Sequence, residues 1–384
     1  MQDSNTVICT GCGASAQQSS WNVSGIPATL NYRYTEKEAA ESAKQGELRL
    51  SECRACGLVF NSAFDAELVS YDSAYDNRQG HSPAFLQHLN NVVEIVSAEI
   101  PSHGARILEI GCGKGDFLKQ LCARFKATGM GYDTSYEVPL EPEPLNVSFS
   151  ANYVSSADIT ENYDLVICRH VIEHVGQIGA FIAELSAIAR AAGDAPLLFE
   201  TPDFDWIVRE SAFWDIFYEH CNYFTMDCLS GLCRGNGLKT ILHEPVFDGQ
   251  YQLLLAKPGS KSTSTSEAPP NRLSAFCAQA EVSKSEKLAM IRESAPTGKW
   301  ALWGSGAKGV TLANYFAANP PLCLIDINPD KQQGFAPVSG IPILSPESAL
   351  ELAPEMILCA NPNYVSEINR SLKALNYAGI INSL

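Results

Sequence analysis

Two glycine-rich turns, GCGKG at 111–115 and GSGAKG at 304–309, each stand between an apolar run and a helix-forming stretch. Such a turn ends a strand and opens a helix, and its missing Cβ atoms let the backbone pass close to a ligand. Around the first turn the segments ARILEIG, DFLKQLCARF, ATGMGYD, NVSFS, YDLVICRH, FIAELSAIAR and APLLFET alternate strand and helix. KWALWGSGAKGVTLANYF, LCLIDINPDK and EMILCANP repeat that rhythm around the second. An α/β fold with two parallel, doubly wound units follows.

At 384 residues the chain is too long for one ordinary core. Division is expected at 1–62, a cysteine-bearing module; 63–258, the first α/β domain; 259–272, a Ser/Thr/Pro-rich linker; and 273–384, the second α/β domain. The stretch from Phe64 to Ile100 reads as mostly helical. Hydrophobic residues at 46% and charged residues at 18% predict a folded, soluble protein, and no apolar run is long enough for a membrane span. The opening MQDSNTVICTGCG has neither a basic n-region nor an apolar h-region, so a cytoplasmic location is expected. Thirteen cysteines, an odd number spread through core-like segments, suit a reducing compartment. A formal net charge of −16 repels phosphate backbones and argues against nucleic acid as a partner.

Four of those cysteines form two pairs, Cys9/Cys12 and Cys53/Cys56, each followed at once by glycine. Glycine lets the backbone turn so that two thiolates face one tetrahedral Zn²⁺, and a closed site of four thiolates is structural rather than catalytic. A redox role needs only one pair and gives no reason for the second.

In ILEIGCGKGDFL an apolar strand ends at Glu109, and Gly111, Gly113 and Gly115 open the next helix. The following strand ends in Asp133, where a carboxylate reaches ribose hydroxyls. This block resembles the S-adenosylmethionine (SAM) loop of class I methyltransferases. YDLVICRHVIEHV resembles their fourth strand, which places Arg169 and His170 beside the methionine part of the cofactor, and Asn152 falls where adenine is contacted. Farther on, FWDIFYEHCNYFT concentrates aromatic rings around Glu219 and His220, a carboxylate and an imidazole suited to proton transfer. A hydrophobic core accounts for Phe213, Trp214 and Phe224 but not for that pair.

Along nearly its whole length the chain resembles the SAM-dependent C-methyltransferases acting on nucleotide-linked keto sugars. The blocks are the four cysteines, the SAM loop, and GSGAKG, LIDINPDK and GIPILSP at the C-terminal end. The resemblance implies a zinc module, a class I methyltransferase Rossmann-like core and a second, C-terminal Rossmann-like domain. It also implies a small-molecule acceptor, expected to be a nucleotide sugar. His220 is then the base that removes a proton alpha to a ketone, with Glu219 holding its tautomer, and Tyr75 or Tyr218 donates to the enolate oxygen. His81 is a further counterpart. Phe217 stands where the family has its tyrosine, so either Tyr218 supplies that hydroxyl or the chemistry differs. Lys308 is a candidate for the acceptor's phosphates, with a plain surface lysine as the competing reading. O- or N-methylation and a catalytically idle nucleotide-binding module are the alternative functions.

Overall fold

A computed structural model describes residues 6–71, 75, 80, 82–101, 103–138, 146–262 and 270–384. His81 and residues 263–269 of the 259–272 segment lie outside the described residues.

Three sheets organise the chain. The central one has seven strands in the order Leu238–Val246, Tyr251–Pro258, Leu197–Pro202, Leu165–Arg169, Arg106–Ile110, Thr128–Tyr132, Val147–Ser150. Six of them run in one direction, and Tyr251–Pro258 alone among the seven lies antiparallel to both its neighbours. Leu165–Arg169 is buried at every position, as a strand covered by helices on both faces must be. The helix Asp116–Phe125 turns Phe117, Leu118, Leu121, Cys122 and Phe125 inward, the one-sided spacing of a helix laid on a sheet.

The C-terminal sheet is ordered Gly334–Phe335, Pro342–Leu344, Leu324–Ile325, Trp300–Trp303, Met356–Cys359, Ile380–Ser383, and only its first pair is antiparallel. Its helix Ala307–Tyr315 packs tightly on the preceding turn. A Cβ at Gly309 would sit 1.8 Å from the carbonyl oxygen of Gly304, so only glycine fits there.

The N-terminal sheet is antiparallel, in the order Thr6–Ile8, Ser15–Pro27, Gln45–Cys53, Val59–Asn61, Asn222–Tyr223. Its last strand comes from the central domain, two residues beyond His220. Hydrophobic packing also crosses the expected boundaries. Trp21, Leu48 and Leu50 of this sheet share one core with Trp214 and Tyr218, with Phe276 of the helix Arg272–Ser294, and with Trp300 and Phe316 of the C-terminal domain.

Between Phe64 and Ile100 the described helix is Pro83–Val96, preceded by a single 3-10 turn at Ala66–Leu68. Helix formation begins at Pro83 because Ser82 caps it, accepting from the Phe85 amide at 3.2 Å, and because a residue ahead of proline is turned away from helical geometry.

Candidate active site

One cavity of about 1580 Å³ joins the three segments. The first glycine turn and Asp133 line one part, Tyr75, Glu219 and His220 another, and Gly304 to Gly309 of the C-terminal domain a third.

In the cofactor region Gly111, Gly113 and Gly115 have φ of +74°, +54° and +81°, the left-handed geometry that side chains resist. Gly115 then caps the helix Asp116–Phe125. Asp133 ties this turn down: its Oδ2 accepts from the Gly113 amide at 2.8 Å, and its Oδ1 from the Ser135 amide and hydroxyl at 2.7 and 2.6 Å. Glu109 is buried, and burial pushes its carboxyl up to about 8, with Oε2 lacking a hydrogen-bond partner among the described residues. Asn152 is exposed at the cavity edge, its amide donating to the Ser150 hydroxyl at 3.0 Å. A cradle open at Gly113, where an added Cβ would meet nothing within 4 Å, and an orphaned buried carboxyl oxygen fit a polar ligand such as SAM.

Arg169 and His170 reach the cavity wall but also serve a buried network that sequence reading missed. Glu200 accepts from Arg169 Nε at 2.6 Å through Oε2 and lies 2.5 Å from His88 Nε2 through Oε1. Arg169 also lies over the Phe117 ring at 4.0 Å. Burial favours neutral His170, yet the neighbouring carboxylates of Glu200 and Glu173 lift it to about 9. Glu200 itself stays far below the usual carboxylate range, because Arg169 and His170 outweigh its burial. An apolar strand end followed by a lone glutamate, LLFET, was the available signal for Glu200.

The expected proton-transfer residues are placed unequally. Tyr75 and Glu219 are both buried and meet directly, the phenol donating to Glu219 Oε2 at 3.1 Å. Asn31 donates to the same phenol at 3.3 Å, and the Leu30 amide donates to Glu219 Oε1 at 2.6 Å. Burial raises the Glu219 carboxyl to about 7. His220 is not held by Glu219, contrary to expectation, because both Glu219 oxygens are taken by Leu30 and Tyr75. Its ring packs instead on Phe217 and His174, at 4.0 and 4.7 Å between centroids, and Nδ1 has no partner among the described residues. Burial, then His174, His170 and Lys308, hold His220 well below its usual range, so it is a neutral imidazole at pH 7.

Tyr218 is not brought to this group. Its hydroxyl accepts from the Asp65 amide at 2.7 Å and donates to the Asp65 carbonyl at 3.3 Å, while its ring lies against Gly46, where a Cβ would come within 2.2 Å. Lys308 borders the cavity, but its ammonium is paired with both oxygens of Asp215 and both side chains are largely buried. Neither a free surface lysine nor an unpaired phosphate ligand describes that arrangement.

The four cysteines converge. Cys9 Sγ lies 3.7 Å from Cys56 Sγ, Cys12 Sγ lies 3.5 Å from Cys53 Sγ, and all four sulfurs are within 4.8 Å of one another. A tetrahedron with Zn–S bonds near 2.3 Å has edges of about 3.8 Å, so this all-thiolate donor set fits zinc.

Comparison with known proteins bears on this geometry. Residues 82–243 match a family model described as a methyltransferase domain, and residues 263–381 match one described as a C-methyltransferase C-terminal domain. The ubiquinone biosynthesis O-methyltransferase of Rhodopseudomonas palustris (strain BisB18) is 33% identical over 96 residues, which are 23% of this chain and 37% of that protein. That of Brucella ovis is 32% identical over 104 residues, 25% of this chain and 42% of that protein. The match thus spans about two fifths of the length of these relatives. Among solved structures, the magnesium protoporphyrin IX methyltransferase of Synechocystis PCC 6803 with bound SAH aligns at 18% identity over 46% of this chain and 84% of that chain, with a TM-score of 0.36. Residues 82–243 thus match a methyltransferase domain, and a second α/β sheet follows it in the chain. Among the described residues no helix is long and apolar enough to cross a membrane.

Proposed function

We propose that this chain is a SAM-dependent C-methyltransferase whose acceptor is a nucleotide-linked keto sugar, methylated through an enolate. The observation that carries the reading is the shared cavity, onto which the SAM-type glycine turn, the Tyr75–Glu219–His220 group and the C-terminal glycine turn all open. The match of residues 263–381 to a C-methyltransferase C-terminal domain supports carbon as the methylated atom.

In this reading Gly111, Gly113, Gly115 and Asp133 hold the cofactor, with Glu109, Asn152, Arg169 and His170 around it. Bound there, SAM supplies an electrophilic methyl group. His220, kept neutral by its surroundings, takes the proton alpha to the acceptor's ketone. By turning its one phenolic proton from Glu219 to the acceptor, Tyr75 donates to the developing enolate oxygen, stabilising charge where it appears. Glu219 orients that phenol rather than the imidazole. Cys9, Cys12, Cys53 and Cys56 would hold zinc, which would tie together the loops of the N-terminal sheet.

O-methylation is the second reading, supported by the names of the ubiquinone-pathway relatives. Solvent exchange separates the two. With a non-methylating cofactor analogue and a keto-sugar nucleotide, wild type is expected to exchange the acceptor's alpha proton for deuterium. His220→Ala is expected to lose about 10²–10⁴-fold in rate, while still binding SAM. No exchange by the wild type on an acceptor that it methylates rules out the enolate route and favours methylation at oxygen.

A further inference from the structure

Beside the proposed base lies a group of donors that proton transfer does not use. Glu173 and His174 sit in the 3-10 turn Ile172–His174, just past the strand Leu165–Arg169, and His220 faces them from the loop ahead of Asn222–Tyr223. One ligand atom from each of the three lies within 4.8 Å of the others, and all three residues border the cavity. His174 Nδ1 is 2.9 Å from the Glu219 carbonyl oxygen and 2.9 Å from the Tyr71 hydroxyl. Because a carbonyl can only accept, Nδ1 carries the proton and Nε2 presents a bare lone pair. Metal-bound histidines are oriented in this way, through a hydrogen bond from the other ring nitrogen.

The remaining donors are equally prepared. Glu173 is 1% exposed, its Oε2 accepts from the Thr201 hydroxyl at 3.1 Å, and its Oε1 has no hydrogen-bond partner among the described residues. His220 Nδ1 has none either. The nearest competitor is His170, whose Nδ1 lies 3.4 Å from Glu173 Oε1. Two imidazoles and one carboxylate, with the other positions open to a cavity, suit first-row divalent metals. Bonds of about 2.0–2.2 Å would bring such donors to about 3–3.6 Å apart, closer than their present separation of up to 4.8 Å.

We propose that Glu173, His174 and His220 form a second metal site that takes a first-row divalent cation, and that its occupancy stops turnover by engaging the lone pair of His220. The effect on turnover rests on His220 being the base; the site itself does not.

The test uses the full chain with zinc already on its four cysteines, titrated with Co²⁺ alone and followed by visible d–d absorption. One further equivalent per chain is expected, without thiolate charge-transfer bands. His174→Ala and His220→Ala are each expected to abolish it, with SAM calorimetry on the same preparations reporting the fold. Glu173→Gln, which keeps the side chain's shape, is expected to weaken it about tenfold or more. In the wild type, Co²⁺ is expected to suppress alpha-proton exchange in step with occupancy. A missing second equivalent, or one that survives His220→Ala in protein that still binds SAM, overturns the site. Exchange that continues with the site filled overturns its link to turnover, whereas exchange absent before cobalt is added overturns the base assignment and leaves the site standing.

Discussion

Lys308→Met distinguishes a lysine that ties two domains together from one that waits for substrate phosphate. In the structure Lys308, on the helix Ala307–Tyr315 of the C-terminal domain, pairs with Asp215 at the end of the 3-10 turn Phe213–Asp215, just ahead of Glu219. The two side chains are 15% and 9% exposed, so the pair counts as buried rather than superficial. Removing one partner of such a pair costs about 3–5 kcal/mol, because the other charge is left unpaired in a poorly solvated place. Removing both charges costs far less, so Asp215→Asn added to Lys308→Met is expected to recover most of the loss, a coupling of about 2 kcal/mol or more. pH adds a sign. Burial raises the Asp215 carboxyl and Lys308 lowers it, so without the lysine its folded-state value rises further. A raised carboxyl gives its full stability below the unfolded value and loses it as pH rises through the folded one, so the defect of Lys308→Met should grow from pH 5 to pH 8. Urea denaturation of wild type, both single variants and the double variant at the two pH values measures all of this. If Lys308→Met unfolds within about 0.5 kcal/mol of wild type and instead raises KM for the acceptor, the clamp is wrong and the phosphate role is right.

Three further outcomes are expected. Metal analysis should find about one zinc per chain, and Cys53→Ser should release it; zinc retained in that variant would show that the four thiolates are not the ligands. Asp133→Ala should weaken SAM binding by about 1–3 kcal/mol in calorimetry, since the carboxylate both positions the glycine turn and offers an acceptor to the ribose; unchanged affinity would remove it from the site. Glu219→Gln should gain stability over wild type at pH 8 but not at pH 5, on the order of 3 kcal/mol, because a carboxyl raised to about 7 loses stability as pH climbs through that value. An equal difference at both pH values would mean that Glu219 is not the group titrating.

The sequence made legible what local geometry decides. Gly111, Gly113 and Gly115 announce their turn because left-handed φ values require glycine there, and two CxxC-Gly knuckles announce a shared centre because each aims its own thiolates. Asp133 could be located because a strand end follows a glycine turn at a fixed distance in a doubly wound sheet. What stayed hidden were partnerships between distant segments. Glu219 with Leu30, Lys308 with Asp215, Tyr218 with Asp65 and Glu200 with His88 are separated by 189, 93, 153 and 112 residues. No periodicity reports such contacts. Adjacency in sequence suggested that Glu219 serves His220, whereas Leu30 and Tyr75 hold Glu219 and the His220 ring packs on Phe217 and His174.

The short strand Asn222–Tyr223 also sets a timetable for biogenesis. Its partner Val59–Asn61 leaves the ribosome some 160 residues earlier, which at 5–20 residues per second is a delay of about 10–30 s. Throughout that interval Val59–Asn61 offers unpaired backbone groups along one side, the kind of edge that recruits stray strands. Nascent chains should therefore depend on a chaperone, or on early metal loading at Cys9, Cys12, Cys53 and Cys56, until the central domain arrives to close the sheet.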